Sequence, residues 1–333
     1  MSKSVHTLGT LLQQFFTHYL QDQRNVSGCT IEGYRDTFRL FLSFMHELLK
    51  KRPAELSLND LDADTVLAFL NHLEKQRGNS PRTRNTRLAA IRSFVHFVSF
   101  KNPAQLAKCE QILAIPVKRF EKPLVGFVER EQMDAILNAP DLDTWSGRRD
   151  HALFMTMYNT GARVSELIGM SVSDLTVSPK ASVTILGKGR KLRTVPLWPA
   201  TAKTLKQWLT DATPAPNSPL FPNRSGQRMS RTGVSKRLAL AASLAATAFP
   251  ALAQRRITPH VIRHSTAMHL LQSGVDITVI ALWLGHESPA TTHGYIEADI
   301  TMKERAMQSI APKTGKPMSF KADDELLGFL NSL

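Results

Sequence analysis

The sequence contains too few cysteines for a disulfide framework. Its 333 residues include two, Cys29 and Cys109, and neither has a cysteine or histidine at the spacing typical of a structural metal site. The Gly-rich pattern of a Walker-type nucleotide-binding loop is also missing. We therefore expect the chain to be stabilised by apolar cores, for which its 42% hydrophobic residues suffice.

Long apolar runs are absent as well. Charged residues, glycine or proline interrupt every apolar stretch well before the roughly 20 residues that a membrane-spanning helix requires. The segment Met1 to Thr10 lacks the basic-then-apolar layout of a signal peptide. We expect a soluble cytoplasmic protein without a membrane segment, long enough for roughly two domains of about 150 residues each.

Acidic residues are scarce relative to basic ones. The chain has 28 aspartates and glutamates against 42 lysines and arginines, which gives a formal charge of +14. Such an excess favours polyanionic partners, because each neutralised phosphate releases condensed counterions. Charge alone leaves open a nucleic-acid enzyme, a ribosome-associated protein and a surface that is merely solubilising.

The first third of the sequence has the apolar spacing of helices. Apolar residues recur at three- and four-residue intervals in segments around residues 8–19, 30–49, 66–73 and 80–98. Thr30 is placed to cap the second helix, and Ser80 and Pro81 are placed to cap and begin the fourth. The pattern predicts a small four-helix bundle over about residues 6–112.

The fourth predicted helix and its approach are rich in arginine and contain no acidic residue. One interpretation is an ordinary solvated face, and the other is a surface that contacts the DNA backbone. We predict the DNA contact for the whole set, which comprises Arg77, Arg82, Arg84, Arg87 and Arg92.

A second domain follows a proline-containing linker at residues 116–125. Its first helix is predicted from Glu129 to Leu137. Two short β-branched runs, residues 183–186 and 192–197, flank a basic loop and predict a β-hairpin. Because strands do not alternate with helices, we expect a mainly α fold with one small hairpin or sheet rather than an α/β fold.

Two charged stretches of this domain occur at predicted turns. Arg163 follows a helix that ends at Gly161, and Glu166 lies three residues further on. Arg163 is suited to hold a phosphate while Glu166 orients it, although a purely structural Arg–Glu pair fits the same spacing. The hairpin loop, Gly187-Lys188-Gly189-Arg190-Lys191, suits a phosphate by its charge but is also a common surface turn.

A third charged stretch begins a helix. Thr258 is predicted to cap it and Pro259 to begin it, which places His260 and Arg263 in the first turn, where helix N-termini favour anions. His260 and His264 have a spacing that metal-binding histidines use, but no glutamate completes a zinc-protease motif and Arg263 would repel a cation. We therefore predict no metal here.

Taken together in this order, the Gly-Ala-Arg-Val-Ser-Glu-Leu stretch, the Gly-Lys-Gly loop, His-Val-Ile-Arg-His, Leu-Gly-His-Glu and a downstream tyrosine resemble the tyrosine recombinase, or phage integrase, family. Thr-Ile-Glu-Gly-Tyr and Ser-Pro-Arg-Thr-Arg resemble its N-terminal core-binding domain. The stretch from His260 to Tyr295-Ile-Glu-Ala-Asp is most similar to recombinases of transposons and insertion elements.

The resemblance implies a catalytic set of Arg163, Lys188, His260, Arg263, His286 and Tyr295. Tyr295 is expected to attack the scissile phosphate, which the two arginines hold, while Lys188 protonates the leaving 5′ oxygen. His260 helps to remove the tyrosine proton, and His286 hydrogen-bonds the phosphate. The resemblance implies no metal, ATP or other cofactor. From their chemistry and charge, Glu166 is expected to orient Arg163, and Arg190 and Lys191 are expected to contact the DNA.

The resemblance also implies the domain organisation and the partners. A SAM-like core-binding domain is expected at residues 1–115, a catalytic domain at 126–311, and a tether with a leucine-bearing helix at 312–333. That tail either folds back on its own domain or docks on a neighbouring subunit. The expected partner is double-stranded DNA with specific recombination sites in the nucleoid, bound as a homo-tetramer, and the free protein is expected to be a monomer or weak oligomer.

Two other functions are compatible with these residues. A type IB topoisomerase uses a similar constellation, although the N-terminal helical domain and the leucine-bearing tail favour recombination between several protomers. A catalytically silent DNA-binding regulator is the other alternative, and the intact set of charged residues argues against it.

Overall fold

The computed structural model describes residues 7–120, 126–178, 180–187, 189, 191–212 and 215–285. The chain divides after Pro123 into two compact units, Met1–Pro123 and Leu124–Leu333. Among the described residues, no helix is both long and apolar enough to span a membrane.

The described part of the N-terminal unit is helical. Its helices are α1 (Leu8–Gln14), which continues as a π-helical segment (Phe15–Gln23), α2 (Gly28–Leu49), α3 (Ala63–Lys75), α4 (Pro81–Lys101) and α5 (Leu106–Leu113). The sequence analysis predicted four helices here, the last over about residues 80–98, and did not predict α5.

The predicted start of α4 is confirmed, and that of α2 is wrong. Ser80 caps α4 by accepting a hydrogen bond from the Thr83 backbone N–H at 3.3 Å, and Pro81 is its first residue. By contrast, α2 begins three residues earlier than predicted, with Ser27 as its N-cap. Ser27 has the extended backbone of an N-cap, although its side chain makes no capping hydrogen bond, and its carbonyl oxygen accepts from the backbone N–H of Thr30, which therefore belongs to the first turn.

Aromatic residues fill the core of the N-terminal unit. Phe15 is fully buried and packs edge-on against Phe94 and Phe38, with ring centroids 5.3 and 6.2 Å apart. These contacts join α4 and α2 to the segment that follows α1. Edge-to-face aromatic pairs add about 0.5–1.5 kcal/mol each beyond the burial of their surface.

The described part of the C-terminal unit is mainly helical with one small sheet, as the sequence predicted. Its helices are α6 (Arg130–Asn138), α7 (Trp145–Thr160), α8 (Val164–Gly169), α9 (Pro199–Ala212), α10 (Arg231–Ala245), α11 (Pro259–Gln272) and α12 (Ile277–Leu284). The predicted hairpin is present as β2 (Ser182–Leu186) and β3 (Leu192–Pro196), paired antiparallel. A two-residue strand that was not predicted, β1 (Leu175–Thr176), extends the sheet beside β2.

A buried ion network holds α7 against α10. Asp150 is 1% exposed and accepts a 2.6 Å hydrogen bond from Arg149 and a further one from Arg237. Arg149 also donates to the carbonyl oxygen of Pro222 at 3.1 Å. Because the carboxylate is surrounded by donors, its burial is compensated, and the first half of α7 is held against α10.

Candidate active site

The site is built on the turn that ends α7. Gly161 caps this helix with a φ of +57°, a conformation that favours glycine. A Cβ at this position would lie 2.3 Å from Cδ2 of Leu284, the last residue of α12. Only glycine therefore permits this turn and this approach of α12 to the end of α7.

The end of α7 is tied to α11 and α12 through its own carbonyl oxygens. The last carbonyls of a helix have no partner within the helix, and here side chains from the two neighbouring helices supply one. The hydrogen bonds are Thr266 Oγ1 to the Tyr158 carbonyl at 2.8 Å, Trp283 Nε1 to that of Asn159 at 3.0 Å, and Arg263 Nη1 to that of Gly161 at 2.6 Å.

Arg263 joins all three helices. Besides its bond to Gly161, it donates from Nη2 to the carbonyl oxygen of Leu284 at 2.8 Å, and only 5% of the residue is exposed. Arg163 follows Gly161 by two residues in the chain. The structure therefore gathers the two predicted phosphate-binding arginines around one glycine turn.

Arg163 and Glu166 form the pair that the sequence predicted. Arg163 is the N-cap of α8, its backbone N–H donates to Glu166 Oε2 at 2.9 Å, and its Nη1 donates to Oε1 at 2.7 Å. The carboxylate side chain is 5% exposed, whereas that of Arg163 is 33% exposed. The pair contributes to the local fold and also leaves part of the guanidinium open to a ligand.

Arg193, on β3, belongs to the same cluster and was missed by the sequence analysis. Its Nη2 donates to Glu166 Oε2 at 2.7 Å, and its Nε donates to the carbonyl oxygen of Trp283 at 3.1 Å. Burial raises the pKa of the Glu166 carboxyl, but the hydrogen bonds from Arg193 and Arg163 outweigh it and hold that pKa below its ordinary value. Glu166 is therefore a buried carboxylate shared by two arginines.

Two glycines bring the neighbouring segments close to this cluster. A Cβ on Gly187 would lie 3.3 Å from Nη1 of Arg193, and one on Gly285 would lie 3.0 Å from the same atom. Gly187 directly precedes Lys188 in the chain, and Gly285 directly precedes His286. The cluster thus lies beside Gly187 and Gly285, the described residues that directly precede these two predicted catalytic residues in the chain.

The hairpin loop closes through a hydrogen bond from the Gly187 backbone N–H to the Lys191 carbonyl oxygen at 2.8 Å. Lys191 is exposed, as its predicted role at the DNA requires. Four predicted site residues lie outside the described residues: Lys188, Arg190, His286 and Tyr295.

The histidines of α11 differ in their surroundings. His260 is exposed at the second position of the helix, after the predicted cap Thr258 and the predicted first residue Pro259. His264 is 8% exposed, so it does not share the solvent-facing position of His260. Among the described residues, no group of three or more histidine, cysteine, aspartate or glutamate side chains is arranged to hold a metal ion.

A buried tyrosine–histidine pair lies behind the cluster. The Tyr158 hydroxyl and His269 Nδ1 are hydrogen-bonded at 2.7 Å, and both side chains are at most 9% exposed. Burial raises the pKa of Tyr158 to about 12. Burial, together with the positive charge of Arg130, lowers the pKa of His269 to about 4. Both groups are therefore uncharged near neutral pH.

Two of the arginines predicted to contact DNA hold the N-terminal unit together instead. Arg84 is 7% exposed and its Nε lies 3.5 Å from Oε2 of Glu74. Arg92 donates from Nη2 to the carbonyl oxygens of Leu113 and Ile115 and so fixes the end of α5 against α4. For these two residues the prediction is corrected, because their guanidinium groups are directed into the protein.

The other three arginines of the set differ in exposure. Arg87 is half-buried and donates from Nη1 to the carbonyl oxygen of Gly33 at 3.1 Å and to Thr37 Oγ1 at 2.9 Å, which links α4 to α2. Arg77 and Arg82 are exposed. These two are available at the surface for a ligand.

Family models match both units. The model of the phage integrase family matches residues 126–302, and the model of the phage integrase N-terminal SAM-like domain matches residues 12–100. Among solved structures, the Tn1549 transposon integrase in complex with transposon right end DNA is similar to this chain with a TM-score of 0.68 at 14% identity, covering 90% of this chain and 99% of that one. The XerH site-specific recombinase bound to palindromic difH substrate has a TM-score of 0.66 at 23% identity, covering 86% and 81%. At these identities the likeness shows a common fold.

Curated relatives match at higher identity. The Sinorhizobium fredii protein named "Putative integrase/recombinase y4rC" is 45% identical over 98% of this chain and 98% of its own length. Tyrosine recombinase XerD of Listeria monocytogenes is 30% identical over 84% of this chain and 91% of its own. The chain therefore belongs to the phage integrase family of tyrosine recombinases, enzymes that cleave and rejoin DNA strands.

Proposed function

We propose that the chain is a site-specific DNA recombinase of the integrase type, which exchanges strands through a 3′-phosphotyrosine at Tyr295. The observation that carries this proposal is the arginine cluster at the Gly161 turn. There Arg163 and Arg263, 100 residues apart in the sequence, are fixed around one helix end inside the domain that the integrase model matches.

Elimination among the tyrosines supports Tyr295 as the nucleophile. The chain has four tyrosines. Tyr19 and Tyr34 belong to the N-terminal unit, where both take part in the aromatic packing around Phe15. Tyr158 is buried, hydrogen-bonded and has a raised pKa, so burial disfavours the phenolate that attack requires. Tyr295 is the tyrosine that remains.

The chemistry requires positive charge at the phosphate. A phosphodiester is an anion, and attack by the tyrosine adds charge to the equatorial oxygens, which Arg163 and Arg263 would stabilise by charge-assisted hydrogen bonds of about 1.5–3 kcal/mol each. Lys188 would protonate the leaving 5′ oxygen, while His260 would help to accept the tyrosine proton and His286 would bond the phosphate. The phosphotyrosine bond conserves energy, so a second 5′ hydroxyl can rejoin the strand without ATP.

A groove in the N-terminal unit suits the DNA backbone. It has a volume of about 490 Å³ and lies where the first turns of α2 and α4 meet. Helix N-termini carry partial positive charge, which favours phosphate groups. The polar and cationic side chains that line the groove are those of Thr30, Tyr34, Arg82, Thr83, Thr86 and Arg87. We propose that Arg82 contacts phosphate here, with Arg77 on the same unit and Arg190 and Lys191 on the hairpin loop.

The same proposal covers the DNA substrate, the number of protomers and the role of the C-terminal tail. The substrate is double-stranded DNA with specific recombination sites, reached in the nucleoid of the cytoplasm. Four protomers act together on two such sites, and the free protein is a monomer or weak oligomer. The 312–333 tail, which lies outside the described residues, docks between subunits.

Sequencing of DNA trapped covalently on the wild-type protein in cells tests this proposal. A recombinase enriches a small number of defined sites, and a DNA fragment that carries two of them then undergoes strand exchange in vitro. Relaxation of a single plasmid without exchange would identify a topoisomerase. Bound but never covalently linked DNA would identify a silent regulator.

A further inference from the structure

Arg193 lies close to the two glycines that directly precede the proposed catalytic residues Lys188 and His286 in the chain. It extends from β3, contacts Glu166 and the Trp283 carbonyl, and approaches both Gly187 and Gly285. Its side chain is 11% exposed, so little of it faces solvent. Its Nη2 is bound to the Glu166 carboxylate and its Nε to the Trp283 carbonyl oxygen, so the guanidinium acts directly on these two neighbours.

The oxygens of Glu166 are divided between two arginines. Oε1 accepts from the Arg163 side chain, whereas Oε2 accepts from the Arg163 backbone N–H and from Arg193. Arg193 therefore offsets much of the carboxylate charge that Arg163 would otherwise meet alone. With three guanidinium groups and one carboxylate, the cluster of Arg163, Arg193, Arg263 and Glu166 has a formal charge of +2.

We infer that Arg193 is a positioning residue for strand cleavage: by binding Oε2 of Glu166, it keeps the Arg163 guanidinium available to a DNA phosphate. Without Arg193, both oxygens of the Glu166 carboxylate would be open to the Arg163 side chain. A bidentate Arg163–Glu166 pair would then hold the Arg163 guanidinium away from the phosphate. The bond to the Trp283 carbonyl fixes the direction of the Arg193 side chain. This inference rests on the proposed function.

A double-mutant cycle distinguishes this role from a merely structural one. We expect Arg193→Gln to slow covalent adduct formation on nicked DNA of the trapped site by about ten- to hundred-fold, with little change in DNA affinity. Glu166→Gln removes the charge that Arg193 offsets and keeps an oxygen for the Arg163 backbone N–H. The double variant should therefore form the adduct about ten-fold faster than Arg193→Gln alone. Equal or slower reaction of the double variant would overturn the inference.

Arg228→Gln is the matched control. Arg228 also bonds main-chain carbonyl oxygens, those of Ile168 and Gly169 at the other end of α8, but no carboxylate partner is found for it among the described residues. Its loss should lower thermal stability without changing the rate of adduct formation in bound complexes. Arg193→Lys, which keeps the positive charge but not the planar guanidinium, should retain more activity than Arg193→Gln.

A measurement without DNA separates this inference from the proposed function. In protein labelled with ¹³C-glutamate, the NMR signal of the Glu166 carboxyl is assigned by its absence from the spectrum of Glu166→Gln. Its titration midpoint should rise in Arg193→Gln, and an unchanged midpoint would overturn the inference. If the wild-type protein forms no adduct on any DNA, the proposed function fails, whereas the titration still decides whether Arg193 holds Glu166.

Discussion

Arg263 donates a 2.6 Å hydrogen bond from Nη1 to the carbonyl oxygen of Gly161. A side chain near the start of α11 is thus held by the backbone that ends α7, and its second bond reaches the Leu284 carbonyl at the end of α12. Because the partners are main-chain atoms, the position of this guanidinium depends on how the three helices pack. The same contacts make Arg263 a structural residue as well as a proposed phosphate ligand.

Arg163→Ala and Arg263→Ala should therefore lose cleavage alike but differ in stability. Each removes a cation from the phosphate site, and we expect single-turnover cleavage to fall by about a thousand-fold or more. Arg263→Ala also leaves two buried carbonyl oxygens without this donor, which should lower the unfolding free energy by about 2–5 kcal/mol. Arg163→Ala should cost less, because its side chain is 33% exposed and the Glu166 carboxylate keeps its bonds to Arg193 and to the backbone N–H of residue 163.

Urea denaturation and single-turnover cleavage of the same preparations check this difference. Near-normal cleavage by either folded variant would remove that arginine from the site.

Gly161→Ala should destabilise the protein more than Gly226→Ala. Both glycines have a positive φ, +57° and +74°, which costs an alanine about 1–2 kcal/mol. A Cβ at Gly226 would meet open space, whereas one at Gly161 would collide with Leu284. The collision should add about 1–3 kcal/mol and slow cleavage, because the Leu284 carbonyl helps to hold Arg263. Equal melting temperatures for the two variants would contradict this contact.

Stability should fall in mild acid because of His269. Its pKa is about 4 in the folded protein against an ordinary value of 6.5, so the unfolded chain binds the proton first. Above pH 6.5 the ring is neutral in both states, and its full contribution to the free energy of unfolding is present. As the pH falls from 6.5 to about 4, the free energy of unfolding should decrease by up to about 3 kcal/mol. His269→Asn keeps a polar atom near the Tyr158 hydroxyl but does not titrate. Its unfolding free energy, measured from pH 4 to pH 7, should depend less on pH than that of the wild type, and parallel curves would assign the effect to another group.

Arg82→Ala and Arg84→Ala should separate DNA binding from folding in the N-terminal unit. Arg82 is exposed in the groove, so its loss should weaken DNA binding and reduce the slope of log K against log salt by about 0.9. Arg84 is 7% exposed beside Glu74, so its loss should lower the melting temperature and leave that slope unchanged. The reverse outcome would place the DNA on the other face of α4.

Local signals predicted much of this fold. Ser80 with Pro81 and Thr258 with Pro259 start their helices as expected, because capping depends on residues within one turn. The end of α7 at Gly161 was equally readable, since a left-handed backbone favours glycine.

Tertiary relationships were not readable in the same way. Arg82 and Arg84 are both arginines on one helix, yet one faces solvent and the other Glu74. Helical spacing places Arg84 on the same face as Leu88, but nothing local indicates that a carboxylate on α3 meets it there. Arg193 was missed because its partners, Glu166 and Trp283, lie 27 and 90 residues away in the chain. A strand arginine after a basic loop carries no local sign of such contacts.

Identification of the tyrosine that carries the DNA is the most direct test of the proposed mechanism. After digestion of the covalent complex, mass spectrometry should find the nucleotide on the peptide that contains Tyr295, and Tyr295→Phe should bind DNA without forming any adduct. A nucleotide on Tyr19, Tyr34 or Tyr158, or an adduct in Tyr295→Phe, would contradict it.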